Sequence, residues 1–206
     1  IFILLLMVAL IVVIFDPFYQ YHGPLQGMQE VLYDREYQVV GTVRNFEYDS
    51  VLLGSSVAEN FNSTFLDEQM DCNTIKVIKS SGSVADLMYY LKMAHEKQKL
   101  KNVFWCMDIF ALTAPTKETV REKKELKYLH TSTLLDDEEY LFNKDVLLMK
   151  IPLLFAYSMA DINVGGAAYD WSKDKEFSAA KAMGGYEKPD VILEEQIHDE
   201  EFVLLE

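Results

Sequence analysis

The residues best suited to chemistry lie in the stretch Gly54-Ser55-Ser56-Val57-Ala58-Glu59-Asn60-Phe61, directly after the apolar run Val51-Leu52-Leu53. A Gly-x-Ser turn between a strand and a helix places a serine hydroxyl at the carboxyl edge of a sheet, where open α/β folds bind ligands. That position suits a nucleophile, for which Ser56 is the candidate. Ser55 or Ser56 would equally suit a helix N-cap, and Glu59 would complete a capping box with Ser56. The spacing leaves both roles open.

Two further residues follow the next predicted strands. Gly82 lies in a Ser-Gly-Ser turn, where its amide would be a second oxyanion donor or simply part of a tight turn. Asp108 ends the third strand and would point into the same crevice as an acid, a hydrogen-bonding scaffold or a helix cap. The sequence therefore predicts that Ser56, Gly82 and Asp108 converge at one edge of the sheet.

A serine nucleophile requires a base, and the four histidines do not provide an obvious one. They are His22 in a connector, His95 within a helix, His130 in a loop and His198 in a predicted carboxyl-terminal helix. None follows a strand as a catalytic base usually does. The chain also lacks HExxH, paired CxxC and GxxxxGK motifs, so no metal site and no cofactor is predicted.

The elements that must position these residues alternate between strand and helix. Short apolar runs predict strands over Asp49–Gly54, Thr74–Lys79 and Asn102–Asp108. A helix is predicted over Val57–Met70, and a second begins at Val84 with an apolar face. This order predicts an α/β fold in which a parallel sheet is linked by right-handed crossovers.

The remaining segments have weaker patterns. We expect a loop over Val31–Asn45 and a charged helix over Thr116–Leu129. The last part of the chain is expected to contain a mainly helical stretch over Glu138–Tyr157 that Pro152 interrupts, an irregular loop over Ile162–Gly185 and a helix over Pro189–Leu205.

Composition limits the function. The 206 residues suit one domain with an appendage, and 50% hydrophobic content is enough for a real core. A formal charge of −14 argues against nucleic acid as a partner, because phosphate binding requires clustered Lys and Arg. Membranes, neutral sugars, acyl groups and cations stay open. Cys72 and Cys106 are expected as buried thiols, with a disulfide as the alternative.

The segment Ile1–Phe15 contains no polar side chain. As a helix it would be roughly 22 Å long against a hydrocarbon core of about 30 Å. Because the chain begins with Ile, we expect a signal anchor that has lost its start, with a buried helix as the alternative. The following Asp16-Pro17-Phe18-Tyr19-Gln20-Tyr21 offers no cleavage site and is typical of an aromatic interface belt.

The orientation of the anchor follows from the basic residues. No Lys or Arg occurs between Phe15 and Arg35, which indicates an outer flank and therefore an extracytoplasmic domain. The predicted organisation is a transmembrane anchor over residues 1–17, a membrane-proximal connector over 18–47 and an α/β domain over 48–206.

Three sequence blocks together resemble a known group of membrane-anchored proteins of Gram-positive bacteria. They are Asp34-Arg35-Glu36-Tyr37-Gln38, Asn45-Phe46-Glu47-Tyr48-Asp49 and the block from Gly54 to Phe61. The group's pattern is ERYQxxG, then YD, apolar residues and G[TS]SxxENF. Its members are similar to SGNH (GDSL-type) hydrolases and to the DltD protein of teichoic-acid D-alanylation.

The resemblance implies a three-layer α/β/α sandwich and assigns roles to individual residues. Ser56 would be the nucleophile, Ser55 would replace the usual aspartate, and the Gly82 amide would contribute to the oxyanion hole. Asp108 would belong to the third block, whose asparagine is missing, and Asn60 would line the same site. The fourth block, Asp-x-x-His, has no counterpart. The enzyme is then either degenerate or, as we expect, a truncated chain that ends before the catalytic histidine and is inactive by itself.

The function implied is that of a membrane-anchored, extracytoplasmic serine acyl-esterase or acyltransferase. Its substrate would be an acylated cell-wall polysaccharide or a teichoic-acid-like polymer, and a membrane O-acyltransferase would be a partner. A different class of protein fits the same residues: a non-catalytic envelope assembly or carbohydrate-binding protein that keeps an SGNH-like fold. A downstream Asp-x-x-His in the full reading frame would favour the enzyme.

Overall fold

The fold is built on a small parallel sheet with helices packed against it. The computed structural model describes residues 2–113, 116–120, 124–131 and 136–170. The predicted carboxyl-terminal helix, His198 and most of the predicted 162–185 loop lie outside these residues. Within them, the α/β class predicted from the sequence is confirmed.

Three five-residue strands form the sheet: β1 (Ser50–Gly54), β2 (Thr74–Ile78) and β3 (Asn102–Cys106). Their order is β2-β1-β3, and both pairings are parallel, as predicted. All five residues of the central strand β1 are buried, which explains its continuous apolar run. β3 is less buried than expected, because it lies at an edge of the described sheet and leaves Val103 exposed.

The helices are distributed before, between and after the strands. In chain order they are α1 (Phe2–Phe15), α2 (Arg35–Asn45), α3 (Thr64–Met70), α4 (Val84–Lys97), α5 (Ile109–Thr113), α6 (Glu138–Leu141) and α7 (Ile151–Met159). Short 3-10 helices cover Ser56–Asn60, Lys124–His130 and Gly165–Ala167, and a π-helical turn covers Val146–Lys150. α2 and α4 pack against each other and against the sheet.

The prediction of a loop over Val31–Asn45 is wrong from Arg35 onward, because those residues form α2. The helix has no clear amphipathic period since six consecutive residues, Gln38 to Val43, are buried. Two of them are polar but satisfied: Gln38 makes four hydrogen bonds, and the Thr42 hydroxyl donates to Val39 O at 2.9 Å. Because side-chain hydrogen bonds allow polar residues of α2 to be buried, the sequence lacks the alternation of polar and apolar residues that would predict this helix.

Three other predicted elements differ from the structure. The helix expected over Val57–Met70 is broken after Asn60, where the Ser63 amide donates to Gly166 O at 3.0 Å and turns the chain before α3. The charged helix expected from Thr116 is absent over residues 116–120. Pro152 does not interrupt its helix, because it lies in the first turn of α7, where a missing N–H costs nothing.

Asp16 fixes the chain as it leaves α1. This fully buried carboxylate accepts hydrogen bonds from the amides of Gln20, Tyr21 and His22 at 2.7–3.0 Å. Its fourth donor is the Tyr140 hydroxyl, at 2.6 Å. Burial raises the pKa of Asp16, and these hydrogen bonds oppose that rise. The segment after α1 is thus tied to α6 by one satisfied carboxylate.

Gly41 lets α2 approach this same segment closely. A Cβ at Gly41 would lie 2.2 Å from Phe18 O and 2.6 Å from Tyr19 O, closer than real atoms come. Phe18 and Tyr19 are themselves buried, and Phe18 stacks on Tyr37 and on Tyr140. The residues expected as an aromatic interface belt therefore pack inside the domain.

α1 is apolar along its whole length, but only its carboxyl-terminal part contacts the rest of the fold. Val12 is fully buried, whereas the six residues from Phe2 to Met7 are exposed. Over the described residues, no helix combines the length and the apolar character needed to cross a membrane.

The Asp16 cluster predicts a large effect of an isosteric change. Asp16→Asn should lower the free energy of unfolding by about 2–3 kcal/mol, because an amide leaves buried N–H donors without acceptors. Urea unfolding in detergent micelles, followed by circular dichroism, measures the loss. Asp71→Asn, at an exposed aspartate, is the matched control and should change stability by less than about 0.5 kcal/mol. Equal losses in the two variants would contradict a special role for Asp16.

Candidate functional site

The three predicted site segments lie at the same edge of the sheet. Gly54 is opposite Ile78 on one side and Cys106 on the other, so the chain segments containing Ser56, Gly82 and Asp108 all follow carboxyl strand ends. The turn after β1 is tight. A Cβ at Gly54 would come within 2.4 Å of the Ala58 Cβ and 3.2 Å of the Cys106 Cβ. Only glycine lets the 3-10 helix fold back over the end of the strand.

Ser55 and Asp108 connect the first and third of these segments. The Ser55 hydroxyl donates a hydrogen bond to Asp108 Oδ2 and weakly accepts one from the Val57 amide at 3.4 Å. Asp108 Oδ1 accepts from the Ala111 amide at 2.9 Å and so caps α5. Ser55 is therefore the N-cap of the 3-10 helix, and Asp108 is both a helix cap and a bridge between two turns.

Ser56 differs from Ser55 in its position and contacts. It is the first residue of the 3-10 helix and is half-buried. Its hydroxyl makes no hydrogen bond within the part of the chain that the structure describes. The predicted capping box between Ser56 and Glu59 is wrong, since Ser55 is the cap. Asn60 ends the same helix with an exposed side chain, near Ser56 in sequence.

Gly82 lies after β2, in the turn that leads into α4. Its amide donates to Lys79 O at 2.9 Å. A Cβ at this position would lie 2.8 Å from both Lys79 Cβ and Lys79 O, so the turn requires a glycine. In this conformation the amide serves the turn, and it would become an oxyanion donor only after leaving Lys79. The oxyanion role of Gly82 stays a prediction.

Glu59 links the 3-10 helix to α2 through a buried ion pair. The sequence analysis did not predict this contact. Its carboxylate is 2% exposed and lies 2.8 Å from the guanidinium Nε of Arg35, at the start of α2. The two atoms form an ion pair whose N–H is not aligned for a hydrogen bond. Burial raises the pKa of Glu59, while Arg35 and Lys76 act against that rise. The presence of Arg35 and Glu59 in two of the resembling sequence blocks was the available signal.

Lys76 contacts the same residue of the 3-10 helix through its backbone. It is 3% exposed, and its ammonium donates to Glu59 O at 2.7 Å and to Ala168 O at 2.8 Å. Burial lowers the pKa of Lys76 to about 8, against the opposing fields of Asp170 and Glu59. A charged residue in a strand thus joins β2, the 3-10 helix and the segment after α7.

The described histidines do not complete a catalytic triad. The His22 ring contacts Val13 O and Gly23 O, His130 contacts the Tyr89 hydroxyl, and His95 is exposed on α4. Cys72 and Cys106 are both free thiols. Among the described residues, no group of three or more acidic, His or Cys side chains could hold a metal ion.

Two cavities lie beside the turn after β1 and not on it. One, of about 300 Å³, is lined by residues such as Glu30, Thr74, Lys76 and Tyr169, and belongs to the outer side of β2. The other, of about 250 Å³, is lined by Ile78 and Lys79 at the carboxyl end of β2 and by Thr119 in the segment after α5. Neither cavity is lined by Ser56.

The buried Lys76 predicts a pH-dependent stability. Its pKa is about 8 in the fold and 10.5 when unfolded, so the unfolded chain binds more protons between these values and stability gains with rising pH. The free energy of unfolding should therefore increase from about pH 7 to about pH 9.5 in the wild type and increase less in Lys76→Met. Urea unfolding at the two pH values measures the difference.

Lys92→Met provides the matched control, because Lys92 is exposed on α4. It should keep the wild-type pH dependence. Identical slopes in the wild type and Lys76→Met would show that Lys76 titrates normally in the fold.

Comparisons with known proteins add no further assignment. No protein-family model, no curated protein and no solved structure matches this chain. Only the residues and their geometry bear on its function.

Proposed function

We propose that this protein is a membrane-anchored, extracytoplasmic serine acyl-esterase or acyltransferase that acts on a cell-envelope glycopolymer. The observation that supports this function best is the division between two adjacent serines at the carboxyl edge of a parallel sheet. Ser55 is bound to Asp108 and caps the helix, whereas the neighbouring Ser56 is half-buried and its hydroxyl makes no hydrogen bond to any residue that the structure describes. A nucleophile must keep its hydroxyl available for reaction, and Ser56 meets that condition among the described residues.

In the proposed reaction, the Ser56 oxygen attacks the ester carbonyl of an acylated sugar or teichoic-acid-like polymer. The hydroxyl proton passes to a base supplied by residues outside those described. When the ester C–O bond breaks, the same group returns the proton to the departing sugar oxygen, so that the alcohol leaves and an acyl-serine remains. Water or the hydroxyl of an acceptor then takes the acyl group and regenerates Ser56. Backbone amides near Ser56 and Gly82 would stabilise the oxyanion.

Asp108 has a positioning role in this proposal. By binding the Ser55 hydroxyl and the Ala111 amide, it fixes the turn after β1 relative to the turn after β3. The nucleophile is then held by a neighbour that does not react. The finer fold proposed is the SGNH three-layer sandwich, with α1 as a membrane anchor and a membrane O-acyltransferase as a partner in transfer.

A second candidate function is a non-catalytic envelope assembly or carbohydrate-binding protein. The Gly82 amide favours it, because it is occupied by Lys79 O instead of facing a substrate. The engagement of His22 and His130 by other groups favours it too. The two functions differ in whether Ser56 reacts.

Reaction with a fluorophosphonate probe tests the nucleophile. In the full-length gene product, Ser56→Ala should abolish labelling, and Ser55→Ala should reduce it because the turn loses its cap and its link to Asp108. Gel fluorescence after a timed reaction measures both. Labelling that persists in Ser56→Ala but vanishes in Ser55→Ala would transfer the nucleophile to Ser55. An unlabelled wild type of proven fold would favour the non-catalytic protein.

Accessibility of a single cysteine tests the extracytoplasmic location. Gln26 is exposed in the connector, so Gln26→Cys in a background of Cys72→Ser and Cys106→Ser should react with a membrane-impermeant maleimide in intact cells. The cysteine-free background is the control for non-specific labelling. Labelling that appears only after lysis would place the domain in the cytoplasm and exclude an envelope substrate.

A further inference from the structure

The helical stretch formed by the π turn and α7 exposes apolar side chains, the reverse of what is usual for a helix on a protein surface. Between Val146 and Met159 every exposed residue is apolar. These residues recur every three or four positions and form one stripe, which we call the α7 stripe: Leu148, Met149, Pro152, Phe155, Ala156 and Met159. Met159 is 87% exposed and Leu148 is 66% exposed. A helix facing water places polar residues on its outer side, so this surface is unsuited to water.

The polar residues of the same stretch turn inward and are partnered. Lys150 forms an ion pair with Asp34, and the Tyr157 hydroxyl is bonded to that of Tyr33. The Ser158 hydroxyl donates to Leu154 O at 2.7 Å and accepts from the Gln29 amide at 2.9 Å. The helix therefore has partners for these half-buried polar groups, and its most exposed side chains are apolar.

α1 joins this stripe. Phe15, its last residue, packs edge-on against Phe155 with ring centroids 4.9 Å apart. Towards its amino terminus α1 is exposed on all sides, with six consecutive apolar residues from Phe2 to Met7. A protein groove would cover one face of such a helix, whereas lipid surrounds it. The stripe is thus continuous with a helix whose exposure suits hydrocarbon.

We propose that the α7 stripe is a second membrane-contacting surface, which lies in the bilayer interface beside the point where α1 enters the lipid. The proposal rests on the membrane anchoring by α1 in the proposed function. Its partner is the upper acyl region of a phospholipid bilayer, into which such helices insert about 5–10 Å. Tyr33 and Tyr157, bonded to each other at the edge of the stripe, would lie at the headgroup level, where tyrosine is favoured.

The surface would seat the domain on the membrane instead of leaving it on a free tether. Two contacts, α1 and the stripe, restrict the rotation of the domain about the anchor. The carboxyl edge that contains Ser56 would then stay at one height above the bilayer. A polymer attached to the membrane or to the wall would meet the site in a fixed orientation.

Depth-dependent quenching tests this surface. Single cysteines at Met159, Ile3 and Met88, in the Cys72→Ser, Cys106→Ser background, are labelled with an environment-sensitive fluorophore in the whole chain reconstituted into phosphatidylcholine vesicles. Met88 is exposed on α4 and serves as the aqueous control. Lipids that carry a nitroxide near the top of the acyl chain should quench the Met159→Cys probe strongly, and lipids that carry it near the end of the chain should quench the Ile3→Cys probe strongly, because Ile3 lies deeper along α1. Neither lipid should quench the Met88→Cys probe much.

The pattern of quenching separates the possible failures. Quenching at Ile3→Cys without quenching at Met159→Cys would overturn the α7 stripe as a lipid contact and leave the anchor in place. No quenching at either position would overturn the anchor as well. A Met159→Cys probe that responds only to protein concentration would assign the stripe to a second copy of the chain and overturn the lipid contact. If the background fails to fold, a fluorescent amino acid incorporated at the same positions gives the same readout.

Discussion

The buried carboxylate of Glu59 is the constraint on which the arrangement of the candidate site depends. A charge in a nearly inaccessible position must be compensated, and here Arg35 supplies the compensation from α2. Lys76 adds a second cation, which binds the backbone of the same 3-10 helix. The short helix that begins with Ser56 has too few hydrogen bonds of its own to be rigid. Its position is set by charges from two other elements.

Buried polar side chains also fix the chain at the entry to the domain. Asp16 and Gln38 are both buried polar side chains with complete sets of partners, and both collect backbone groups from the segments around them. They replace regular secondary structure where the chain turns between α1 and α2. Because the segment from Asp16 to Asn45 is packed rather than extended, the direction of α1 is coupled to the core. Membrane contact through the α7 stripe would use that rigidity.

The two adjacent serines of the turn after β1 have different surroundings. Ser55 gives its hydroxyl to Asp108 and in return fixes two strand ends to each other. Ser56 follows it and takes part in neither the helix cap nor the bond to Asp108. Among the described histidines, His22 and His130 contact other groups and His95 is exposed on α4. A serine that is positioned but unassisted is a poor nucleophile, so the chemistry depends on what the rest of the chain brings to this edge.

The sequence by itself determined the three strands, their parallel pairing and the shared sheet edge after which the segments containing Ser56, Gly82 and Asp108 follow. Short apolar runs interrupted by helices permit few other topologies, and glycine at position 54 marks the sharp turn. It also revealed the unusual apolar character of Ile1–Phe15. Tertiary structure alone decided which serine caps the helix, because that depends on which hydroxyl reaches Asp108.

Tertiary structure also decided that the segment Arg35–Asn45 forms a helix, α2. Its sequence has no amphipathic period, because Gln38 and Thr42 are buried through hydrogen bonds that the local sequence does not indicate. Tertiary structure joined Arg35 to Glu59 across 24 residues of chain and turned Lys150 and Ser158 inward. These contacts arise between segments distant in sequence. Residue types limit what such segments can do, but only the fold brings a particular cation to a particular carboxylate.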